Sequence, residues 1–130
     1  GDFSDGFAAV VKDDKFGFFD KNGLIVVPVI YDMKMFKSLP DVRFVAGRAP
    51  IAAKGKYGII DKTGKEIITP QYDAVGMFSE GLLAVNKKGK WGYVDSLNKV
   101  VIKFEFDFAG NFSDGLARVK RGNRFGFGAL

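Results

Sequence analysis

Apolar residues alternate in four short stretches of the chain: Ala8 and Val10, Ala49 and Ile51, Leu83 and Val85, Ala117 and Val119. A period of two is that of a strand with one buried face. The residues between them, Ala9, Pro50, Ala84 and Arg118, are a mixed set and predict a less buried side. Pro50 cannot donate to a ladder, which points to a weak or edge segment. Each stretch runs into a pair of turn residues, Asp13-Asp14, Lys54-Gly55, Lys88-Gly89 or Gly122-Asn123. Gly, Asn and Asp tolerate the positive φ that a two-residue hairpin turn requires. A second strand follows as KFGFFD (from Lys15), KYGIID (from Lys56), KWGYVD (from Lys90) or RFGFGA (from Arg124). The first three close in DKNG, DKTG and DSLN, where the Asp can accept a backbone N–H and Gly or Asn can turn left-handed. A third short strand is predicted at LIVV (from Leu24), EIIT (from Glu66) and KVVI (from Lys99), with Pro28 and Pro70 ending it in the first two units. No helical period is present.

These elements recur in constant register. The glycine of the aromatic-Gly pair falls at Gly17, Gly58, Gly92 and Gly126, separated by 41, 34 and 34 residues. Phe3, Phe44, Phe78 and Phe112 each precede their glycine by fourteen residues, and three of them open FSDG, FSEG and FSDG, while the second reads FVAG. Tyr31-Asp32, Tyr72-Asp73 and Phe106-Asp107 place an aromatic-Asp pair with each Asp fifteen residues after a glycine. The seven additional residues of the first period lie between Asp32 and Phe44, in MKMFKSLPDVR, and read as an expanded loop between units. The pattern predicts an all-β fold of tandem repeats of about 34 residues, each a three-stranded antiparallel meander. The chain reads as a single repeat domain over 1–130, with units 3–43, 44–77, 78–111 and 112–130, the last incomplete. The incomplete last unit favours stacking as an open array, with a propeller-like closed ring as the alternative.

The aromatic-Gly pair reads as a packing device. Phe16, Tyr57, Trp91 and Phe125 project from one face with Phe18, Ile59, Tyr93 and Phe127, while Gly17, Gly58, Gly92 and Gly126 leave room on the other for bulk from the adjacent unit. The only tryptophan is therefore one instance of a recurring core position.

Composition agrees with this architecture and narrows the chemistry. Aromatic residues are 15% of the chain, with fourteen Phe and seventeen Gly, a balance suited to pleated surfaces and the turns between them. There is no Cys and no His, which removes thiolate chemistry, disulfides, the commonest general base and the commonest zinc ligand. No apolar run is long enough to span a bilayer. Two acid sets recur, Asp20, Asp61, Asp95 and Asp32, Asp73, Asp107. A glycosidase needs two differently placed carboxyls across one cleft, whereas a residue occurring once per unit is explained by one turn per unit. No DxDxDG run or phosphate loop is present. No catalytic residue, metal ligand or cofactor site is assigned.

The net charge is +5. Lys12, Lys15, Lys54, Lys56, Lys87, Lys88, Lys90, Arg121 and Arg124 flank the hairpin turns, so units stacked in register would line up one basic edge, opposite an edge carrying Asp20, Asp61 and Asp95. Lys along exposed hairpins also blocks edge-to-edge aggregation; the alternative is an anion-binding stripe.

FSEG, AV and KGKWGYVD, followed by a turn and an aromatic-Asp, resemble the WG repeat (also called the KWG repeat) of bacterial proteins, over about Phe3 to Phe127. Trp occurs once here, the second unit lacks the Ser-acid pair, and Gly128-Ala129 replaces the apolar-Asp ending. The resemblance implies a non-enzymatic tandem β array used for interaction with a protein or an anionic glycan, ahead of nucleic acid, in the cell envelope or secreted rather than cytoplasmic. The alternatives are a structural spacer without its own ligand and a glycan-processing enzyme.

Overall fold

A computed structural model describes residues 6–36 and 42–129, with side chains through residue 127. The Phe3 landmark, the Ser4-Asp5 pair and residues 37–41 of the inserted loop lie outside the described residues. The described chain is all strand, turn and loop, in four small antiparallel sheets, none closed into a barrel.

The first sheet is β1 (Phe7–Lys12), β2 (Lys15–Asp20) and β3 (Ile25–Asp32), in that order. The second is β4 (Arg48–Ala53), β5 (Lys56–Asp61) and β6 (Glu66–Tyr72). β4 is an edge strand, the location that tolerates Pro50. β7 (Ala74–Val75), β8 (Leu83–Lys87), β9 (Lys90–Val94) and β10 (Val100–Phe106) make the third sheet. β11 (Phe108–Ala109), β12 (Leu116–Arg121) and β13 (Arg124–Ala129) make the fourth. β7 and β11 were not foreseen. Each is a two-residue strand that follows the aromatic-Asp pair and hydrogen-bonds to the first strand of the next repeat, through Ala74↔Asn86 and Phe108↔Lys120.

The turns form as their chemistry requires. Asp20, Asp61 and Asp95 each accept two backbone N–H groups on Oδ1, at 2.9–3.1 Å, from the residues two and four positions on. The two described Phe-Ser-acid-Gly segments, at Phe78 and Phe112, are also tight turns. Ser79 and Leu82 exchange both backbone bonds, as do Ser113 and Leu116, around central residues of positive φ. In the second repeat Val45 and Arg48 do the same around Ala46 (φ 51°) and Gly47. The turn backbone therefore survives loss of the Ser-acid pair.

The third strands are longer than predicted. Pro28 lies inside β3 and Pro70 inside β6. Between Phe16↔Tyr31 and Phe18↔Val27, two residue steps on β2 oppose four on β3, and Trp91↔Phe106 and Tyr93↔Ile102 repeat this between β9 and β10. A bulge interrupts the ladder there, so a residue without an N–H is tolerated and the strand continues to its aromatic-Asp end.

The described residues fall into two compact units, Gly1–Gln71 and Tyr72–Leu130. In the first, Phe16, Phe18, Val27 and Tyr31 on one face of the first sheet share a core with Ala49, Ile51 and Ile60 of the second. In the second, Ala84, Tyr93 and Phe106 of the third sheet share a core with Ala117 and Val119 of the fourth, with Trp91 and Ile102 half-buried against it. Both cores stack the ring face of one sheet on the glycine face of the next. The landmark phenylalanines complete them: Phe44 lies 4.7 Å from Phe18, and Phe112 lies 4.9 Å from Tyr93, ring centre to ring centre. Burying each of these rings contributes about 1.5–3 kcal/mol. Ala9 and Ala84 thus lie on the ring face, and Ala84 is fully buried, contrary to the expectation of a less buried side. Phe36 and Val42, from the inserted loop, also belong to the first core, with Phe36 5.5 Å from both Phe16 and Tyr57.

Candidate functional site

What the aromatic-Gly pair does is visible in the space above each glycine. A Cβ on Gly17 would stand 2.3 Å from the Val27 carbonyl oxygen, one on Gly58 2.4 Å from that of Ile68, and one on Gly92 2.7 Å from that of Ile102. Those oxygens belong to the bulged third strand of the same repeat. The sequence reading assigned this room to an adjacent unit; it is filled from within the unit, because the bulge presses its backbone onto the second strand. Gly126 has nothing within 4 Å of a Cβ, since no strand lies on the outer edge of β13 among the described residues. Its rings differ accordingly: Phe16 and Phe18 are fully buried and Tyr57 and Trp91 half-buried, but Phe125 and Phe127 are 55% and 73% exposed.

The nine cations flank the hairpin tips, and register sets like charges opposite one another, Lys12 against Lys15, Lys87 against Lys90 and Arg121 against Arg124. Such pairs repel. Acids on the third strand or at its end relieve them. Lys15 is paired with Asp32, Lys90 donates to Asp107 at 2.5 Å, and Arg121 is paired with Glu105. The aromatic-Asp carboxylates also tie one repeat to the next. Asp32, Asp73 and Asp107 accept the backbone N–H of Lys54 (3.3 Å), Lys88 (2.8 Å) and Gly122 (2.6 Å) in the following hairpin turn. The Lys15 hydrogen bond, then its charge and the Lys54 N–H, hold the Asp32 carboxyl below the usual range, and Lys90 and the Gly122 N–H do so for Asp107. The basic edge is therefore interleaved with acids, which the sequence placed at unit ends without showing that they fold back to the tips. Lys12, Lys54, Lys56, Lys87 and Lys88 are exposed there.

Further ties join the third and fourth repeats. Ser79 Oγ donates to the Phe112 carbonyl, Glu80 Oε1 accepts the Gly115 N–H at 2.7 Å, and Asn111 Oδ1 accepts the Met77 N–H at 3.0 Å. The Ser and the acid of FSEG thus each hold the next repeat's turn. Buried tyrosines make bonds elsewhere: Tyr31 donates to Glu66 of the second repeat at 2.7 Å, and Tyr93 to the Gly110 carbonyl within the third repeat at 2.6 Å. The recurrent acids are engaged in turns and ties, and no group of three potential metal-ligating side chains occurs among the described residues.

A different surface emerges on the fourth sheet. Phe108, Leu116, Arg118, Lys120, Phe125 and Phe127 share one face through the pairs Phe108↔Lys120, Lys120↔Phe125 and Arg118↔Phe127 and the strand alternation. Phe108 is 44% and Leu116 46% exposed. The Arg118 guanidinium lies 4.3 Å from the Phe125 ring centre and the Lys120 ammonium 5.3 Å from it. None of the six is acidic. Sequence reasoning missed this face, although Arg118 departs visibly from Ala9, Pro50 and Ala84 at the equivalent position.

Three bulged meanders, each tied to the following repeat by its aromatic-Asp carboxylate, and a fourth hairpin of the same pattern define a tandem β-repeat protein. The family model described as WG containing repeat matches residues 1–16, 57–91 and 91–125, and the chain belongs to that family. No curated protein and no solved structure gives a significant match. Among the described residues no helix is long and apolar enough to cross a membrane.

Proposed function

We propose that this chain is a non-catalytic repeat module that binds an acidic partner, a protein surface or an anionic glycan, in a bacterial envelope-associated or secreted protein. The observation that carries the reading is the fourth-sheet face, where three exposed Phe rings surround two cations. In the other repeats the positions of Arg118 and Lys120 hold Ala9 and Val11, Pro50 and Ala52, or Ala84 and Asn86, none of them charged. Apolar rings offer contact area, and the two cations seated on the Phe125 ring offer charge, with no acid among the six residues of the face. This surface is better suited to anions than the hairpin tips, where at least three of the nine cations already face carboxylates. The envelope setting rests on the family resemblance alone.

Titration with polygalacturonate and with polyglutamate, each at low and at raised salt, tests the reading. Saturable binding to at least one of them is expected, weakened by salt and reduced at least about tenfold in Arg118→Glu/Lys120→Glu. Binding to neither, or binding indifferent to the double substitution, would remove it.

A further inference from the structure

We infer that Asn22, in the turn joining β2 to β3, is a site of spontaneous covalent modification. Attack by the Gly23 backbone nitrogen converts its side-chain amide to aspartate or isoaspartate, at a rate set by opening of that turn. The site lies at the far end of β2 from the hairpin tip and does not depend on the anion-binding reading.

The chain contains five asparagines, Asn22, Asn86, Asn98, Asn111 and Asn123. Three have their side chains tied down: Asn86 Oδ1 accepts the Gly89 N–H at 3.1 Å, Asn98 Oδ1 accepts the Tyr72 hydroxyl, and Asn111 Oδ1 accepts the Met77 N–H. Ring closure requires the side-chain carbon to swing onto the nitrogen of the next residue, and these bonds oppose it. The next residues, Lys87, Lys99 and Phe112, also carry side chains that crowd that nitrogen, as does Arg124 after Asn123. Asn22 alone is followed by a glycine. It is exposed, and its side chain makes no hydrogen bond among the described residues. A Cβ on Gly23 would have nothing within 4 Å, so the ring has room to close.

The turn does not need this amide. Thr63 holds the same place in DKTG and Leu97 in DSLN, and both turns keep the two backbone bonds to the Asp Oδ1. What the turn supplies is restraint. The Gly23 N–H donates to the Asp20 carbonyl at 3.0 Å, and Asp20 Oδ1 holds the N–H groups of Asn22 and Leu24 at 2.9 and 3.1 Å. The attacking nitrogen is therefore occupied until the turn opens, a local event in an exposed segment.

The reaction balances without oxidant or reductant. The Gly23 nitrogen loses its proton and bonds to Asn22 Cγ, the Cγ–Nδ2 bond breaks, and the amide leaves as ammonia. Water then opens the ring at Cγ, giving aspartate, or at the main-chain carbonyl carbon, giving isoaspartate with a further methylene in the backbone. That methylene lengthens the path between Asp20 and Leu24, whose N–H and carbonyl are joined at 2.9 Å, and so loosens the link between β2 and β3.

The full chain and a peptide of residues 19–24, FDKNGL, aged in the same mildly alkaline buffer and followed by mass spectrometry with peptide mapping, test the inference. Conversion in the chain is expected at Asn22 before any other asparagine, at least about tenfold more slowly than in the peptide. Asn22→Thr, which copies the second repeat, should melt as the parent does and lose this conversion. Asp20→Ala, shown to be folded by circular dichroism, removes two bonds from the turn and should convert at Asn22 at least about threefold faster than the parent. No conversion at Asn22 in the chain, or earlier conversion at another asparagine, would overturn the assignment of the site. Equal rates in chain and peptide would overturn the control by the turn, as would equal rates in the parent and folded Asp20→Ala.

Discussion

The Asp107 carboxylate accepts the backbone N–H of Gly122 at 2.6 Å, across fifteen residues and into the turn of the next repeat. Lys90 donates to the other oxygen of the same carboxylate, so one side chain closes its own repeat and positions the following one.

This arrangement makes the fold acid-sensitive. The Asp107 carboxyl is held low by Lys90, Asp32 by Lys15, and Asp61 by the Thr63 hydroxyl. A carboxyl whose pKa is lower folded than unfolded binds fewer protons when folded. Its contribution is therefore complete above the unfolded value of about 3.9 and disappears as pH falls through the lower folded value. The melting temperature should change little from about pH 7 to 5 and fall steeply below about pH 4. Asp61→Asn keeps an acceptor for the Thr63 and Lys65 N–H groups but does not titrate, so its acid slope should be shallower. Parent and variant with the same slope would contradict this.

The glycines provide a graded series. Gly58→Val forces a side chain onto the Ile68 carbonyl and should cost about 3 kcal/mol or more in urea unfolding. Gly92→Val meets Ile102 at a longer 2.7 Å and should cost somewhat less. Gly126→Val should stay within about 0.5 kcal/mol of the parent. Equal losses at Gly58 and Gly126 would show that the glycine is not retained for the third strand.

At high pH the tyrosines take over. Burial pushes the Tyr93 hydroxyl up to about 12, and burial likewise raises Tyr31 and Tyr72. A raised phenol favours the folded protein below the unfolded value of about 10, and that contribution is lost as pH climbs toward the folded one. Tyr93→Phe should cost about 1 kcal/mol at neutral pH, for the bond to Gly110, and should flatten part of the alkaline destabilisation above about pH 10. An alkaline limb unchanged in the variant would assign that limb to the other tyrosines.

The tryptophan is replaceable. Trp91 is half-buried where Phe16 stands in the first repeat, so Trp91→Phe should cost under about 1.5 kcal/mol. Tyr93→Ala removes a fully buried ring in contact with Phe112 and should cost about 3–5 kcal/mol. Comparable losses from the two, measured by chemical unfolding, would give Trp91 a role beyond packing.

Turns were the most legible part of the chain. DKNG, DKTG and DSLN encode their geometry within a few residues, because an Asp side chain and a residue tolerant of positive φ suffice. Repeat length and strand order followed from the spacing of those turns. Pro28 and Pro70 misled because a proline ends a regular strand but sits comfortably in a bulge, and a bulge depends on the pairing of two strands. The cations at the tips are read from local sequence, whereas their carboxylate partners come from fifteen to seventeen residues away.

The sequence by itself determined the repeat, the all-β class, the hairpins and the family, since each is written in local chemistry recurring at a fixed interval. Tertiary structure alone decided which faces are covered. KFGFFD and RFGFGA share one pattern, but Phe16 and Phe18 are buried while Phe125 and Phe127 face solvent. The physical reason is that burial belongs to a pair of surfaces. A strand carries its own alternation, but the sheet and third strand that cover it come from elsewhere, and β13 has neither among the described residues.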